Sequence, residues 1–406
     1  MRLGGAFLLG IGVTAAALAF GSRPLGVAGV GLLLAAGASR VWAGLVRGPV
    51  AVSFSAGETP VTEGERVRLR IAIRRASRVP AASIVVHGVL GRQGPFEVCL
   101  KGRGRQCAST LDLGQLPRGR YALSETRLVL GDLLGLESVT LPVDAAGETL
   151  VVYPRLVELE ALFSDAGRLG GNGRRLLLRR PAGFDFHSVR EYTQGESLRR
   201  VHWPTTARRG QLMVKELEDT PRDAVAVVLD CDPACVAGEP PDSSFDAAVR
   251  AAGSVLRAYV TRGRRAVLVT TGVEAAAQPV SSLDGDLSAA LGVLAGVEAD
   301  AVHGIGRWLR GAQTPAAHAG ELVVVTANLD AAAVEAILAL SGRRLVSVAW
   351  IDAPSFVGRP TRAASGPLRL SGWGIPVTAV RRDDDLADAL CGFTAGAFTQ
   401  EAGALA

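Results

Sequence analysis

Lysine is almost missing from this chain: of its 44 basic residues only Lys101 and Lys215 are lysines, the rest being arginines. With a net charge of just +5 over 406 residues, that bias points to a GC-rich genome and not to a chain built around a polyanion. Cysteine is scarce, odd in number and scattered (Cys99, Cys107, Cys231, Cys235, Cys391). That excludes the even framework of a disulfide-stapled secreted domain and fits reduced thiols; a Cys99–Cys107 bridge would need an oxidising compartment. Cys231 and Cys235 lack the second pair or the nearby histidines of a zinc site. The five histidines, His87, His187, His202, His303 and His318, are too dispersed to declare a metal triad. No Gly-rich phosphate loop of the Walker type occurs, and no Ser or Cys stands in a nucleophile elbow. Helix-turn-helix, RNA-recognition and zinc-finger patterns are missing too, which counts against nucleic acid as a partner.

What is present begins with apolar sequence. Hydrophobic residues make up 48% of the chain and mean hydropathy is +0.26, with the excess at the N-terminus. Residues 3–20 carry no charge, a GSRP turn follows, and 24–46 is apolar except for Arg40, whose head can snorkel to the interface. Each stretch approaches the length that crosses a hydrocarbon core of about 30 Å. Residues 1–47 therefore read as a transmembrane helical hairpin; a second apolar segment directly after the first argues against a cleaved signal peptide. Gly26, Gly29, Gly31 and Gly37 would allow close helix approach. Arg2, Arg40 and Arg47 flank the hairpin while only Arg23 occupies its turn, which predicts a two-pass protein of the inner membrane with both ends, and the bulk of the chain, cytoplasmic.

From 50 to 154 the pattern has period two. Val67, Leu69, Ile71 and Ile73 alternate with arginines, as a half-buried strand requires. Seven or so such runs between Gly, Pro and Asp turns predict an immunoglobulin-like β-sandwich. Residues 155–182 read as a glycine-rich linker. Over 217–400, continuous apolar runs such as 224–229, 266–270, 322–326 and 345–351 alternate with helical spacing. That predicts an α/β domain around a mostly parallel sheet, with any ligand beyond the carboxyl ends of its strands.

The densest chemistry lies in 183–216, GFDFHSVREYTQGESLRRVHWPTTARRGQLMVKE. Arginines alternate there with carboxylates and aromatics, without an amphipathic period. Arg offers a planar fork for carboxylates and stacks on rings, so the stretch reads either as a structural ion-pair network or as a recognition surface. From Arg168 to Lys215 there are eleven Arg or Lys against three acidic residues, an excess suited to an acidic partner or to anionic lipid headgroups near the anchor. An enzyme reading would use His202 or His187 as general base beside Glu191 or Asp185, as in a hydrolase-like or metal-dependent enzyme.

The order Phe186, Ser188, Arg190-Glu191-Tyr192, Gly195-Glu196, Arg199-Arg200, His202-Trp203, Ala207-Arg208, Gly210, Leu212 and Lys215-Glu216 resembles the signature of the domain of unknown function 58 family. Its members are bacterial and archaeal proteins described as related to von Willebrand factor type A domains. The resemblance implies a Rossmann-like type A fold for 217–400. It also implies a membrane-tethered component working with a MoxR-type AAA ATPase and a transglutaminase-like membrane protein. The signature positions carried over as partner-binding candidates are Arg190, Glu191, Tyr192, Gly195, Arg199, Arg200, His202, Trp203, Arg208 and Lys215; no catalytic residue and no cofactor is carried over.

In a type A domain the first strand ends in Asp-x-Ser-x-Ser around magnesium, helped by a distant Thr and Asp. Here the corresponding residues are Asp230, Cys231, Asp232, Pro233 and Ala234, and the later strand ends Thr326-Ala327-Asn328. Ala234 has no oxygen to give, so the expectation is a degenerate site (Asp230, Asp232) without a tightly bound ion. The functional expectation is a non-enzymatic, membrane-anchored scaffold.

Overall fold

A computed structural model describes residues 2–56, 60–102, 104–143, 149–165, 186–191, 203–217, 224–281, 285–311, 319–360 and 365–392, with only the backbone described for Arg2, Ala56, 186–191, Pro204 and 214–217. Contacts divide the chain into two units, Met1–Tyr153 and Pro154–Ala406.

The first unit starts with α1 (Arg2–Phe20) and α2 (Arg23–Leu45), joined at Gly21, whose φ of +67° is a left-handed conformation that glycine adopts without strain. They run antiparallel and close: a Cβ on Gly29 would lie within 3.0 Å of the Thr14 backbone. Both are long and apolar enough to cross a membrane. Together with the sheet-rich body that follows, they fit a membrane-anchored multidomain protein.

Next come β1 (Val50–Ala56), β2 (Val61–Thr62), β3 (Arg66–Arg75), β4 (Ser83–Leu90), β5 (Gly94–Cys99), β6 (Gln106–Gln115), β7 (Gly119–Gly131), β8 (Ser138–Pro142) and β9 (Thr149–Tyr153). They form a three-stranded sheet, β1-β3-β6, and a six-stranded one, β2-β9-β7-β4-β5 with β8 on β7. The alternation read in β3 is real: Val67, Leu69, Ile71 and Ile73 are buried between exposed arginines. Leu69, Ile71 and Ile73 pack on Ile84, Val86, Leu128 and Leu130 of the other sheet, and Val67 on Leu90, Tyr121 and Leu123; each such side chain contributes roughly 1.5–3 kcal/mol of burial. The C-terminal turns of α2 join this core through Trp42, Ala43 and Val46, with Trp42 Nε1 donating to the Pro80 carbonyl at 2.8 Å.

In the second unit, β10 (Phe186–Glu191), α3 (Trp203–Arg209) and β11 (Met213–Leu217) precede the main sheet. That sheet and its helices comprise β12 (Val225–Leu229), α4 (Ser244–Thr261), β13 (Ala266–Thr270), β14 (Ala277–Val280), α5 (Gly285–Gly296), α6 (Ile305–Arg310), β15 (Glu321–Thr326), α7 (Ala331–Ser341), β16 (Leu345–Ile351), α8 (Ser365–Gly372), β17 (Val377–Val380) and α9 (Leu386–Cys391). The strand order is β14-β13-β12-β15-β16-β17, parallel except for β14 at one edge. Both faces are covered, which is why the strands read as unbroken apolar runs. Val225, Val227 and Leu229 pack with α4, while Ala226 and Val228 pack with α6, α7 and α8.

Two features differ from the sequence expectation. Residues 155–165, read as linker, lie on the sheet domain: Leu162 and Phe163 are buried in its core, Val157 N–H bonds Ser254 Oγ at 3.0 Å, and Ser164 Oγ pairs with the Tyr259 hydroxyl at 2.8 Å. The apolar residues of this stretch are too irregularly spaced to signal an element. The arginine-dense stretch, which showed no period, holds an antiparallel ribbon in which Val189 faces Lys215, Arg190 faces Val214 and Glu191 faces Met213.

Candidate functional site

The parallel ladder itself assembles the polar group at the centre of the sheet. Leu229 pairs with Thr270 of β13 and with Val325 of β15, so the next residue on each strand, Thr271, Asp230 and Thr326, falls in one row at the carboxyl edge. Strand order reverses between β12 and β15, and at such a switch point the connections diverge and leave a crevice.

Asp230 is 6% exposed. Thr326 Oγ1 donates to its Oδ2 at 2.6 Å, while Asp232 N–H at 3.3 Å and Thr271 Oγ1 at 3.5 Å approach its Oδ1. The threonines are themselves fixed from the backbone: Thr271 Oγ1 accepts from Cys231 N–H at 2.9 Å and Thr326 Oγ1 from Asn328 N–H at 2.9 Å. Burial pushes the Asp230 carboxyl from 3.8 up to about 6; the Thr326 bond opposes that shift and the charge of Asp232 adds to it. Burial also raises the Cys231 thiol to about 11 and the Cys235 thiol to about 12, with nearby carboxylates contributing, so neither is a thiolate at neutral pH.

A hard divalent cation at this edge would draw on Asp230, Asp232, Thr271 and Thr326. The oxygens are of the right kind, but they are engaged. Asp232 Oδ1 caps the short 3-10 turn Pro233–Cys235 through Ala234 N–H at 2.9 Å, and its Oδ2 takes Asn328 Nδ2 at 3.3 Å. Asp330, the next acid along, caps α7 through Ala333 N–H at 2.7 Å. Among the described residues no group of three or more His, Cys, Asp or Glu side chains could hold a metal. The donor set does not make a cage.

Of the signature positions, Arg190, Glu191 and Lys215 take places on the β10–β11 ribbon, with Arg190 and Lys215 at successive register positions on opposite strands. Trp203 and Arg208 lie on α3, where Trp203 is 64% exposed and Arg208 and Arg209 are exposed as well. Tyr192, Gly195, Arg199, Arg200 and His202 lie outside the described residues, as does Asp185 of the enzyme reading. The acidic pair Asp230 and Asp232 stands on a different element, the sheet edge. Sequence reasoning missed Thr271. Its signal was positional, since it is the first residue after a run that pairs in register with the run ending at Leu229.

Residues 188–353 match the model of the family described as "Protein of unknown function DUF58". A relative, "Uncharacterized protein YeaD" of Bacillus subtilis (strain 168), is 25% identical over 67% of this chain and 69% of its own. Among solved structures, an aerotolerance-related membrane protein from Bacteroides fragilis NCTC 9343 aligns at 19% identity, covering 45% of this chain and 98% of that one, with a TM-score of 0.27. The conserved hypothetical protein BatB from Bacteroides thetaiotaomicron aligns at 21% identity, covering 32% of this chain and 66% of that one, with a TM-score of 0.23. Overlap at that level is local, so the fold stands on the strand order given above.

Proposed function

We propose, from the match of residues 188–353 to the DUF58 family model, that the protein is a non-enzymatic, membrane-anchored adaptor whose family segment grips a partner protein. The partner is a MoxR-type AAA ATPase, with a transglutaminase-like membrane protein in the same assembly. The carrying observation is Trp203, 64% exposed on a short helix that also bears exposed Arg208 and Arg209. Trp and Arg are among the residues that most often dominate binding energy at protein interfaces. The α/β unit is taken as type A-like, because its strand order with one antiparallel edge strand presents switch-point loops at a single edge. The first unit is taken as an immunoglobulin-like spacer. The hairpin is placed in the inner membrane with the bulk of the chain in the cytoplasm, as the Arg2, Arg40 and Arg47 flanks favour.

The test is copurification from solubilised membranes. Wild-type chain should retain the ATPase. Trp203→Ala combined with Arg208→Glu, and separately Arg199→Glu with Arg200→Glu, should lose it at an unchanged melting temperature. Retention by both variants, or turnover of a substrate by the purified protein in a His202-dependent manner, refutes the adaptor reading.

A further inference from the structure

The hairpin carries its own ruler for the membrane surface. Gly10 lies against Leu33, Gly29 against Thr14 and Gly26 against Ala17, a register that brings Arg2 level with the turn of α2 that holds Arg40. From Arg23 to Arg40 the helix rises about 25 Å at 1.5 Å per residue, close to the hydrocarbon thickness of about 30 Å. Arg2 and Arg40 therefore mark one boundary and Arg23 the other. The exposed residues Val27, Val30, Leu34, Val41 and Leu45 fall on one stripe of α2, while the opposite side beyond this boundary is occupied by the sandwich.

At that level the turn between β7 and β8 is tied to α2 twice. Ser39 Oγ donates to Asp132 Oδ2 at 2.5 Å, and Arg40 Nη1 pairs with Glu137 Oε1 at 2.9 Å. The turn is closed on itself as well, with Asp132 N–H bonded to the Glu137 carbonyl at 3.1 Å and Glu137 N–H to Asp132 Oδ1 at 3.2 Å. Between these anchors Leu133 and Leu134 are 60% and 57% exposed. The turn thus presents two adjacent leucines between two carboxylates that are both bonded to α2. At the depth where Arg40 leaves the hydrocarbon, the leucines have a solvent that suits them.

Resting on the membrane reading of α1 and α2, we propose that the β7–β8 turn is a third membrane contact: Leu133 and Leu134 insert into the lipid leaflet whose surface Arg2 and Arg40 mark. This contact holds the sandwich at a fixed tilt on the bilayer, since a helix pair alone leaves the attached domain free to rock. The occupant is lipid and not a partner protein, because both anchors of the turn come from α2 at the level where that helix leaves the hydrocarbon.

The experiment uses the full chain reconstituted in phosphatidylethanolamine–phosphatidylglycerol vesicles. Leu134→Cys and, separately, Leu34→Cys are made in a Cys99→Ser background and labelled with an environment-sensitive fluorophore, the Cys99→Ser parent serving as blank. The expected result is blue-shifted emission at both positions, little quenching by aqueous iodide, and quenching of the 134 probe chiefly by lipids carrying the quencher near the headgroup. If the 34 probe is lipid-shielded but the 134 probe is quenched by iodide as freely as the fluorophore in water, the third contact is refuted and the hairpin stands. If iodide reaches the 34 probe, the membrane reading falls and takes the third contact with it.

Discussion

Asp230 gives the sharpest quantitative test of the sheet edge. Its carboxyl titrates at about 6 in the fold against 3.8 when solvated, chiefly through burial, so holding it ionised costs about 3 kcal/mol at neutral pH. Because the folded value is the higher one, this contribution favours the fold fully below about 3.8, is lost as pH rises through about 6, and is constant beyond. Asp230→Asn removes the charge and keeps the shape. It also weakens the 2.6 Å bond from Thr326, a loss of about 1 kcal/mol. The balance at pH 7.5 is a gain of about 2 kcal/mol, seen as roughly 30-fold slower amide exchange in peptides covering β12. At pH 4 the wild-type carboxyl is neutral in the fold, little of the ionisation cost remains, and the lost bond should leave the variant slightly less protected. Hydrogen–deuterium exchange of the full chain in detergent, comparing the two proteins at the same pH, reads this change of sign. A variant less protected than wild type at pH 7.5 refutes the reasoning. If millimolar magnesium then protects wild type alone, Asp230 is neutralised by a cation in place of a proton.

Three further outcomes follow from the packing. Tyr259→Phe removes the hydroxyl that donates to buried Glu321 at 2.6 Å and pairs with Ser164; a loss of about 1–3 kcal/mol should appear as faster exchange in β15. An Ala17→Cys/Gly26→Cys pair, with 3.8 Å between Cβ positions, should form a disulfide on mild oxidation, and adding Gly29→Leu should abolish it by forcing the helices apart at Thr14. Asp132→Ala frees Ser39 and the turn that Asp132 closes, which should raise exchange in residues 131–138 selectively and leave β3 unchanged.

How much of this the sequence disclosed depends on how each segment meets water. Strand β3 was legible because one face is wet: its arginines and aliphatics alternate, and the burial alternates with them. The parallel strands were legible because neither face is wet. β14 was not: it is a four-residue edge strand containing Pro279 with only Val280 buried, too short and too polar for either pattern. The β10–β11 ribbon was hidden for a related reason, since a two-stranded ribbon imposes no continuous apolar stripe and its arginines mask what period exists. Residues 155–165 bury only Leu162 and Phe163 fully, with Val157 and Leu159 packed at the margin of the core, a spacing that matches neither the strand nor the helix period.

The row Thr271–Asp230–Thr326 shows why a site-like cluster arises here without a motif. A strand buried on both faces tolerates charged side chains chiefly near its ends, where the chain leaves the core. When parallel strands are in register, those ends coincide, so polar residues from segments distant in sequence are collected at one edge. Collection alone implies no chemistry. What sets this row apart is that its central carboxyl is buried, is bonded by a hydroxyl from β15 and is charged only at a free-energy cost, a state that a partner's cation or a proton would relieve. If that relief has no role, a neutral amide at position 230 should leave the protein sturdier at neutral pH and its partner binding untouched. If binding is lost while the fold is sturdier, the edge belongs to the partner surface together with Trp203.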